Sequence, residues 1–314
     1  MLARRHILRL GAAAIATGLA GRSVSASESV RLVSGFGLGN PTDLCVQLIG
    51  EGFSAALDEP VTLDYAIGEA GKLAALDVIG ATPDGRTLLV GEILNLVLHD
   101  AAGANLLPRL QPIARITRGF STALVTLESS ALENWQGFVT TARKSRLTAA
   151  TTGPQSTVGM LLVMIEQRLQ LAFDQQETAS TMAAVDLLLR RRVDVAAIDT
   201  RLALVHNSRE ARNKLRVLAT FGARSSPDLP KVPTFAALVG DPKAAYTISY
   251  GVFAPDGIAA DTAARLTAAL VSLKDDEDMH YQARLAHIPA QIDGPATVLQ
   301  TIARDKRLIA GLIK

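Results

Sequence analysis

Two segments of the chain join a loop of glycine and hydroxyl residues to a helix start, an arrangement suited to holding an anion. The first runs Gly35-Phe36-Gly37-Leu38-Gly39-Asn40 and leads into Pro41-Thr42-Asp43. Asn40 is a favoured N-cap residue, Pro41 suits the first helical position, and Asp43 stands three residues after the cap, as in a capping box. Glycines let a backbone approach a ligand, and the free N–H groups and dipole of a helix N-terminus favour negative charge. Taken alone, the segment is equally consistent with an ordinary strand–helix turn.

The second segment repeats this pattern. A strand predicted over 147–151 is followed by Thr152-Gly153-Pro154-Gln155, and a helix begins at Ser156 or Thr157. Two loops that each end at a helix N-terminus predict two lobes that face each other across a cleft.

The elements that carry these loops alternate between strand and helix. Strands are predicted over 30–34, 61–64, 87–90, 123–127, 193–198 and 215–220, with helices between them, and this alternation predicts parallel, doubly wound α/β sheets. Loops at the carboxyl ends of such strands are where open α/β sheets bind ligands. We also predict a loop over 106–112, a strand over 249–254 that crosses back to the first lobe, and a tail from 259 of two helices joined by a link over 288–294.

The N-terminus has the pattern of an export signal. Arg4, Arg5 and Arg9 precede an apolar stretch over 10–20 and an A-x-A-like cleavage site at 24–26, so we expect residues 1–26 to be a signal peptide cleaved near Ala26. The arginine pair also fits a loose twin-arginine pattern, and both export routes stay open. Export would place the mature protein in the periplasm.

The charge of the mature chain argues against polyanionic partners. Removal of the signal takes away four arginines and no acid, so 32 basic residues become 28 against 30 acidic ones. Without a basic excess, neither nucleic acid nor an anionic membrane surface is an expected partner. Cys45 is the only cysteine, which precludes an intramolecular disulfide, and its helical spacing predicts an inert core thiol. We expect a monomer.

Motifs for catalysis or cofactors are incomplete. The histidines lack metal-ligand spacing, and no G-x-S-x-G or P-loop is present. A dinucleotide fingerprint comes closest, with Gly35-x-Gly37 after a strand and Asp64 at the end of the next, but Asn40 stands where the third glycine is required. We therefore expect no catalytic residues, metal or cofactor, and a cleft that holds a small carboxylate; an exported nucleotide-dependent oxidoreductase is the alternative.

Residues 30–43 resemble the opening of the Bug-type solute-binding proteins, receptors of tripartite tricarboxylate transporters. Phe36 and Pro41-Thr42-Asp43 match the family, and further matching motifs follow in family order at 83–89, 215–219, 226–234 and 251–257. The resemblance covers nearly the whole mature chain.

This resemblance implies a type II periplasmic binding fold, with two α/β lobes that close on a ligand. It implies lobe 1 over 27–121, lobe 2 over 122–250, and a return to lobe 1 with C-terminal helices over 251–314. Expected partners are a small carboxylate, amino-acid-like or amide ligand and integral membrane subunits, for transport or for sensing. The expected ligand contacts are Phe36, Gly37, Asn40, Thr42, Asp43, Gly68, Glu69 and Gly71 in lobe 1, and Thr152, Gly153, Gln155, Ser156, Thr157, Ser180 and Asp199 in lobe 2.

The chain departs from the family pattern within the expected cleft. Leu38-Gly39-Asn40 replaces the usual Pro-Gly-Gly, and the common family loop Asn-Arg-Pro-Gly-Ala-Gly-Gly is replaced by residues 65–71, with Glu69 in the alanine position. If Glu69 faces the cleft, it would repel a dianion or pair with an amine, which favours a monocarboxylate, amino-acid-like or amide ligand over citrate. The alternative is that Glu69 points to solvent.

Overall fold

The computed structural model describes residues 29–119, 121–207, 214–226 and 228–312. The predicted signal peptide over 1–26, its cleavage site near Ala26 and the arginine pair lie outside these residues. In the described part of the chain, no helix is long and apolar enough to cross a membrane.

Eleven strands and eleven α-helices form the described structure. The strands are β1 (Val30–Ser34), β2 (Val61–Tyr65), β3 (Thr87–Glu92), β4 (Leu110–Thr117), β5 (Thr122–Leu127), β6 (Leu147–Thr151), β7 (Phe173–Glu177), β8 (Val195–Asp199), β9 (Leu215–Thr220), β10 (Tyr250–Pro255) and β11 (Ala290–Asp293). The helices are α1 (Pro41–Leu57), α2 (Lys72–Ile79), α3 (Ile93–Ala101), α4 (Trp135–Lys144), α5 (Thr157–Leu169), α6 (Thr181–Leu189), α7 (Thr200–Asn207), α8 (Phe235–Val239), α9 (Ala260–Ser272), α10 (Glu277–Leu285) and α11 (Pro295–Leu312).

The strands form two separate sheets, each carrying helices. The first has the order β11-β4-β10-β3-β1-β2 and the second the order β7-β6-β8-β5-β9. The predicted α/β class with two lobes is confirmed. We call the lobe of the first sheet lobe 1 and the lobe of the second sheet lobe 2.

The prediction of parallel sheets is correct for only part of each sheet, because both sheets are mixed. β1, β2 and β3 are parallel, and so are β6, β7 and β8, but β10 is antiparallel to β3 and β4, and β5 is antiparallel to β8 and β9. Parallel neighbours need a crossover within one sheet. β5 and β10 each enter their sheet from the other lobe, so this requirement does not apply to them.

Two boundary predictions are corrected. The loop predicted over 106–112 ends early, because β4 begins at Leu110 and accommodates Pro112 beside a register shift in its pairing with β10. The link predicted over 288–294 contains β11, and the first tail helix is divided into α9 and α10, with Asp276 as the N-cap of α10.

The core joins both lobes. Leu32 and Leu88 of the first sheet and Leu124 and Ala149 of the second are 0% exposed and belong to one continuous apolar cluster. Cys45 is buried as predicted, and burial raises the pKa of its thiol. Because β1 to β3 are parallel, and β6 and β8 likewise, their carboxyl ends deliver the loops of each lobe to one edge of its sheet.

Candidate functional site

The loop after β1 ends in the predicted helix cap. The Asn40 side chain accepts a hydrogen bond from the Thr42 N–H at 3.0 Å, and Pro41 occupies the start of α1, which confirms the predicted cap. Asp43 departs from the capping-box pattern, because its carboxylate accepts from the Gly39 N–H at 2.7 Å rather than from Asn40. The other Asp43 oxygen accepts from the Tyr65 hydroxyl. Asp43 is therefore engaged within lobe 1.

The loop between β2 and α2 has an unusual backbone. Gly68, Glu69, Ala70 and Gly71 all have positive φ, at 144°, 45°, 49° and 91°. Two consecutive non-glycine residues in this region store strain, which is common at ligand clamps and switch regions.

Contacts from other segments fix this strained loop. A Cβ on Gly35 would lie 2.4 Å from the Cα of Gly71, so glycine is required where the two loops cross. Asn95, on α3, donates its Nδ2 to the Ala70 carbonyl at 3.2 Å.

In lobe 2, the N-terminus of α5 forms the matching loop. Ser156 is the N-cap, with Oγ accepting from the Gly159 N–H at 3.1 Å and donating to the Gly153 carbonyl at 2.6 Å. Gly153 has a φ of 103°. Gly159 packs so closely against the Gly153 carbonyl that a Cβ on Gly159 would not fit. The first backbone N–H of this helix belongs to Thr157.

Side chains of lobe 1 hold that N–H group. The Thr157 backbone N–H donates to Asn95 Oδ1 at 2.9 Å, and the Thr157 hydroxyl donates to Glu92. Glu92 ends β3 and Asn95 lies in the first turn of α3. The two lobes therefore meet through polar contacts at a helix N-terminus, where an anionic ligand group would also bind.

A small cavity, the inner cavity, lies beside this contact. Its volume is about 40 Å³. It is lined by Phe36, Asn40, Pro41, Glu92, Asn95, Thr122, Thr152, Ser156, Thr157, Val158, Thr181, Asp199, Ile248 and Tyr250. Six predicted contacts are among them: Phe36, Asn40, Thr152, Ser156, Thr157 and Asp199.

Two carboxyl groups from opposite lobes line the inner cavity. Glu92 is 8% exposed, and burial, assisted by the negative charge of Asp305, raises its pKa to about 8 against a smaller opposing effect of the Tyr250 hydroxyl. Asp199 is 4% exposed, and burial raises the pKa of its carboxyl, opposed by Arg201. Among the described residues that line this cavity, none is a lysine, arginine or histidine.

A wider groove, the outer groove, is lined by residues of both lobes and shares Thr152 with the inner cavity. It encloses about 530 Å³ and includes the predicted residues Glu69, Gly153 and Gln155. Glu69 is exposed and pairs with Lys72 at 2.7 Å, which lowers the pKa of the Glu69 carboxyl. Lys72 thus neutralises the charge that was expected to repel a dianion, and Glu69 does not reach the inner cavity.

The remaining predicted residues line neither space. They are Gly37, Thr42, Asp43, Gly68, Gly71 and Ser180. Gly68 and Gly71 shape the strained loop, and Thr42 is buried in the first turn of α1. Ser180 caps α6 by accepting from the Ala183 N–H at 3.2 Å, and its neighbour Thr181 lines the inner cavity instead.

Sequence reasoning missed Glu92, Asn95, Thr122, Thr181 and Tyr250. A signal for two of them was present, because Glu92 and Asn95 interrupt an otherwise apolar run over 88–98. A charged residue inside such a run has to be buried, and buried charges are either paired or functional.

The structure also bears on cofactors. Across the described ranges, no group of three or more His, Cys, Asp or Glu residues could hold a metal ion. Asp64, which a dinucleotide site would use for the ribose, forms a surface ion pair with Arg31 at 2.8 Å. The carboxylate of Asp43 lies in the first turn of α1, where it would repel a pyrophosphate.

Comparisons with known proteins agree with this architecture. The sequence model of the tripartite tricarboxylate transporter family receptor matches residues 45–287. A UPF0065 protein of Cupriavidus necator is 25% identical over 268 residues, covering 81% of this chain and 80% of that protein.

Solved structures show the same fold. MatC from Rhodopseudomonas palustris with bound malate has a TM-score of 0.81 at 23% identity, covering 91% of this chain and 99% of that one. The periplasmic binding protein BugD has a TM-score of 0.79 at 18% identity, covering 90% of this chain and 97% of that one.

The two lobes and the cavity between them have the type II periplasmic binding fold. Within that class, the chain belongs to the family of tripartite tricarboxylate transporter receptors. This membership confirms the resemblance found in the sequence and gives no support to an oxidoreductase.

Proposed function

We propose that the mature chain is a periplasmic receptor that captures a small carboxylate, amino-acid-like or amide solute between its lobes. It then delivers the solute to integral membrane subunits and carries out no chemistry on it. The observation that carries this proposal is the meeting of the two lobes at the N-terminus of α5, where Asn95 holds the Thr157 N–H. A ligand carboxylate would accept this N–H in place of the side-chain oxygen of Asn95. The malate bound to MatC, a protein of the same fold, supports the carboxylate.

Ligand entry requires the lobes to separate. Pockets for small molecules enclose about 300–1,000 Å³, whereas the inner cavity encloses about 40 Å³. Opening must break the bonds from Thr157 to Asn95 and Glu92, which leaves the helix N-terminus free for the ligand. A ligand stabilises the closed state only by its difference in affinity for the two states.

The proposed ligand contacts are the predicted residues that line the inner cavity, namely Phe36, Asn40, Thr152, Ser156, Thr157 and Asp199. Gly153 and Gln155 lie on the entrance side, along the outer groove. The proposed lobe boundaries, 27–121, 122–250 and 251–314, are supported by the sheet to which each strand belongs, except that β10 of lobe 1 begins one residue earlier, at Tyr250.

We further propose export by the segment over 1–26 and a monomeric mature protein. Family membership and the periplasmic binding fold support the location. Neither nucleic acid nor a cofactor is part of the proposed function.

A thermal-shift screen of the mature chain tests the proposal. The panel contains small mono-, di- and tricarboxylates, amino acids and amides. Saturation at about 100 times Kd stabilises the folded state by about 2.7 kcal/mol, which raises the melting temperature by several degrees if the lobes unfold together. A panel in which no compound raises the melting temperature would overturn the receptor proposal.

A further inference from the structure

Glu92 is a buried carboxyl group at the contact between the lobes, which is an unusual place for a residue with only a structural role. It is nearly fully buried at the contact between the lobes, and one oxygen accepts the Thr157 hydroxyl while the other lies 3.5 Å from the Tyr250 hydroxyl. Both contacts come from neutral hydroxyl groups. Burial of a carboxyl with neutral partners costs folding free energy, which a ligand can recover when it supplies a better donor.

Asp199 brings a second acceptor to the same cavity from lobe 2. Its Oδ1 accepts the Leu202 N–H at 2.9 Å, while its Oδ2 is buried without a hydrogen-bond partner among the described residues. A buried carboxylate oxygen is costly without a donor. Because Asp199 lines the inner cavity, the unpartnered oxygen indicates where a ligand donor belongs.

The nearest cation does not satisfy that oxygen. Arg201 has its Nε at 3.7 Å from Asp199 Oδ1, the oxygen that already bonds Leu202, and its Nη2 donates to the Gly39 carbonyl at 3.1 Å. Arg201 does not line the inner cavity. Among the described residues, the wall of the cavity therefore offers two carboxyl groups and no positive side chain to a bound solute.

This distribution of charge discriminates between solutes. One carboxylate of a ligand can bind the N–H of Thr157, but a second carboxylate would lie beside Glu92 and Asp199, where ionisation of either acid would repel it and no cation is present among the described residues that line the cavity. An ammonium or carboxamide group in that place would donate to both. Burial raises the pKa of the Glu92 carboxyl to about 8, and an ammonium group beside it would lower that pKa and so favour the ionised form.

We propose that Glu92 and Asp199 form an acceptor subsite that selects solutes carrying an N–H donor, an ammonium or a carboxamide, beside their carboxylate, and that disfavours dicarboxylates. This inference rests on the proposed function, since it assigns the specificity of the same site. Glu92 is its principal determinant, because it joins this subsite to the anion-binding N-terminus of α5.

Matched ligands test the subsite. Each set shares one carboxylate and one methylene chain and differs at the other end, as in β-alanine, succinamate and succinate. Isothermal titration of the mature chain gives Kd for each compound. The two members with N–H donors should bind at least about tenfold more tightly than the dicarboxylate, since a hydrogen bond to a charged group contributes this much or more.

Variants separate the two kinds of donor. Glu92→Gln should reduce the preference for the ammonium member over the dicarboxylate by at least about tenfold, because glutamine cannot ionise when the ammonium group binds. It should change binding of the half-amide much less, because the glutamine oxygen still accepts an N–H. Asp199→Asn should act in the same direction, which keeps the test valid if one variant folds poorly. Asp174→Asn, a change at an exposed acid paired with Arg146, is the control and should leave all affinities unchanged.

The outcomes distinguish the two proposals. Tightest binding of the dicarboxylate to the unmodified protein would overturn the subsite while leaving the receptor function intact. An unchanged preference in both cavity variants would do the same. Failure of every member of several sets to bind would overturn the proposed function, and the subsite with it.

Discussion

The unfolding free energy of the ligand-free protein should fall as pH rises from about 5 to about 8. Replacement of Glu92 by glutamine should make this fall much smaller. Burial, followed by the negative charge of Asp305, raises the pKa of the Glu92 carboxyl from 4.5 to about 8. A raised folded-state pKa means that the folded protein binds this proton more tightly than the unfolded chain. The corresponding stability is fully present below pH 4.5 and is lost as pH rises through about 8.

The structure sets the size of this effect. At about 1.36 kcal/mol per pKa unit, the rise from 4.5 to about 8 corresponds to about 5 kcal/mol of unfolding free energy. This figure is an upper limit, because opening of the lobes would let Glu92 ionise in water without unfolding. We expect a measured difference of at least about 1 kcal/mol between the pH dependences of the two proteins.

Urea unfolding followed by circular dichroism at about pH 5 and about pH 8 measures the difference. Titration of Asp305 and Asp199, whose carboxyl pKa values burial also raises, contributes to both proteins and leaves a common residual slope. Glu69→Gln is the control, because Lys72 lowers the pKa of that carboxyl and it stays ionised throughout this range. Equal pH dependences of the unmodified protein and Glu92→Gln would refute the burial of Glu92 between the lobes.

Three further predictions concern the loops and the ligand. Asn40→Ala removes a helix cap, which should lower the unfolding free energy measured in urea by about 1 kcal/mol and weaken ligand binding in titrations. Arg191→Ala is the control and should leave binding unchanged. Equal effects of the two variants on binding would mean that the cleft is misplaced. Gly35→Ala should destabilise by about 1–3 kcal/mol, because its Cβ would lie 2.4 Å from the Cα of Gly71; an unchanged urea midpoint would contradict this packing. An ammonium ligand that binds near neutral pH should release up to about one proton from Glu92. Calorimetry detects this release as a binding enthalpy that changes with the ionisation enthalpy of the buffer. The same binding enthalpy in every buffer would argue against the contact.

Features determined by nearby residues were predictable from the sequence. The caps at Asn40 and Ser156 follow from residue type within a few positions, and both are present. The strand Phe173–Glu177 was not predictable, because it is polar and mostly exposed and owes its structure to pairing with β6. The strand from Leu110 was hidden by Pro112, which argues against a strand unless the pairing is irregular.

The proposed binding residues were predictable only in part. Asn40 and Ser156 lie in loops after strands and Asp199 ends β8, and these are the places where α/β folds have their sites. Glu92 lies in the proposed site because it contacts Thr157, which is 65 residues later in the chain. No local sequence pattern predicts a contact between residues so far apart. The family resemblance implied a ligand contact at Asp43, and in the structure its carboxylate accepts hydrogen bonds from Gly39 and Tyr65 within lobe 1.

A crystal structure of the mature chain with its tightest-binding solute tests the central claim most directly. We predict a ligand carboxylate that accepts the Thr157 N–H at about 2.7–3.2 Å in place of Asn95, and a ligand N–H group that donates to Glu92 or Asp199. The two lobes would enclose the ligand from both sides. A ligand bound elsewhere, with Thr157 still held by Asn95, would contradict the account.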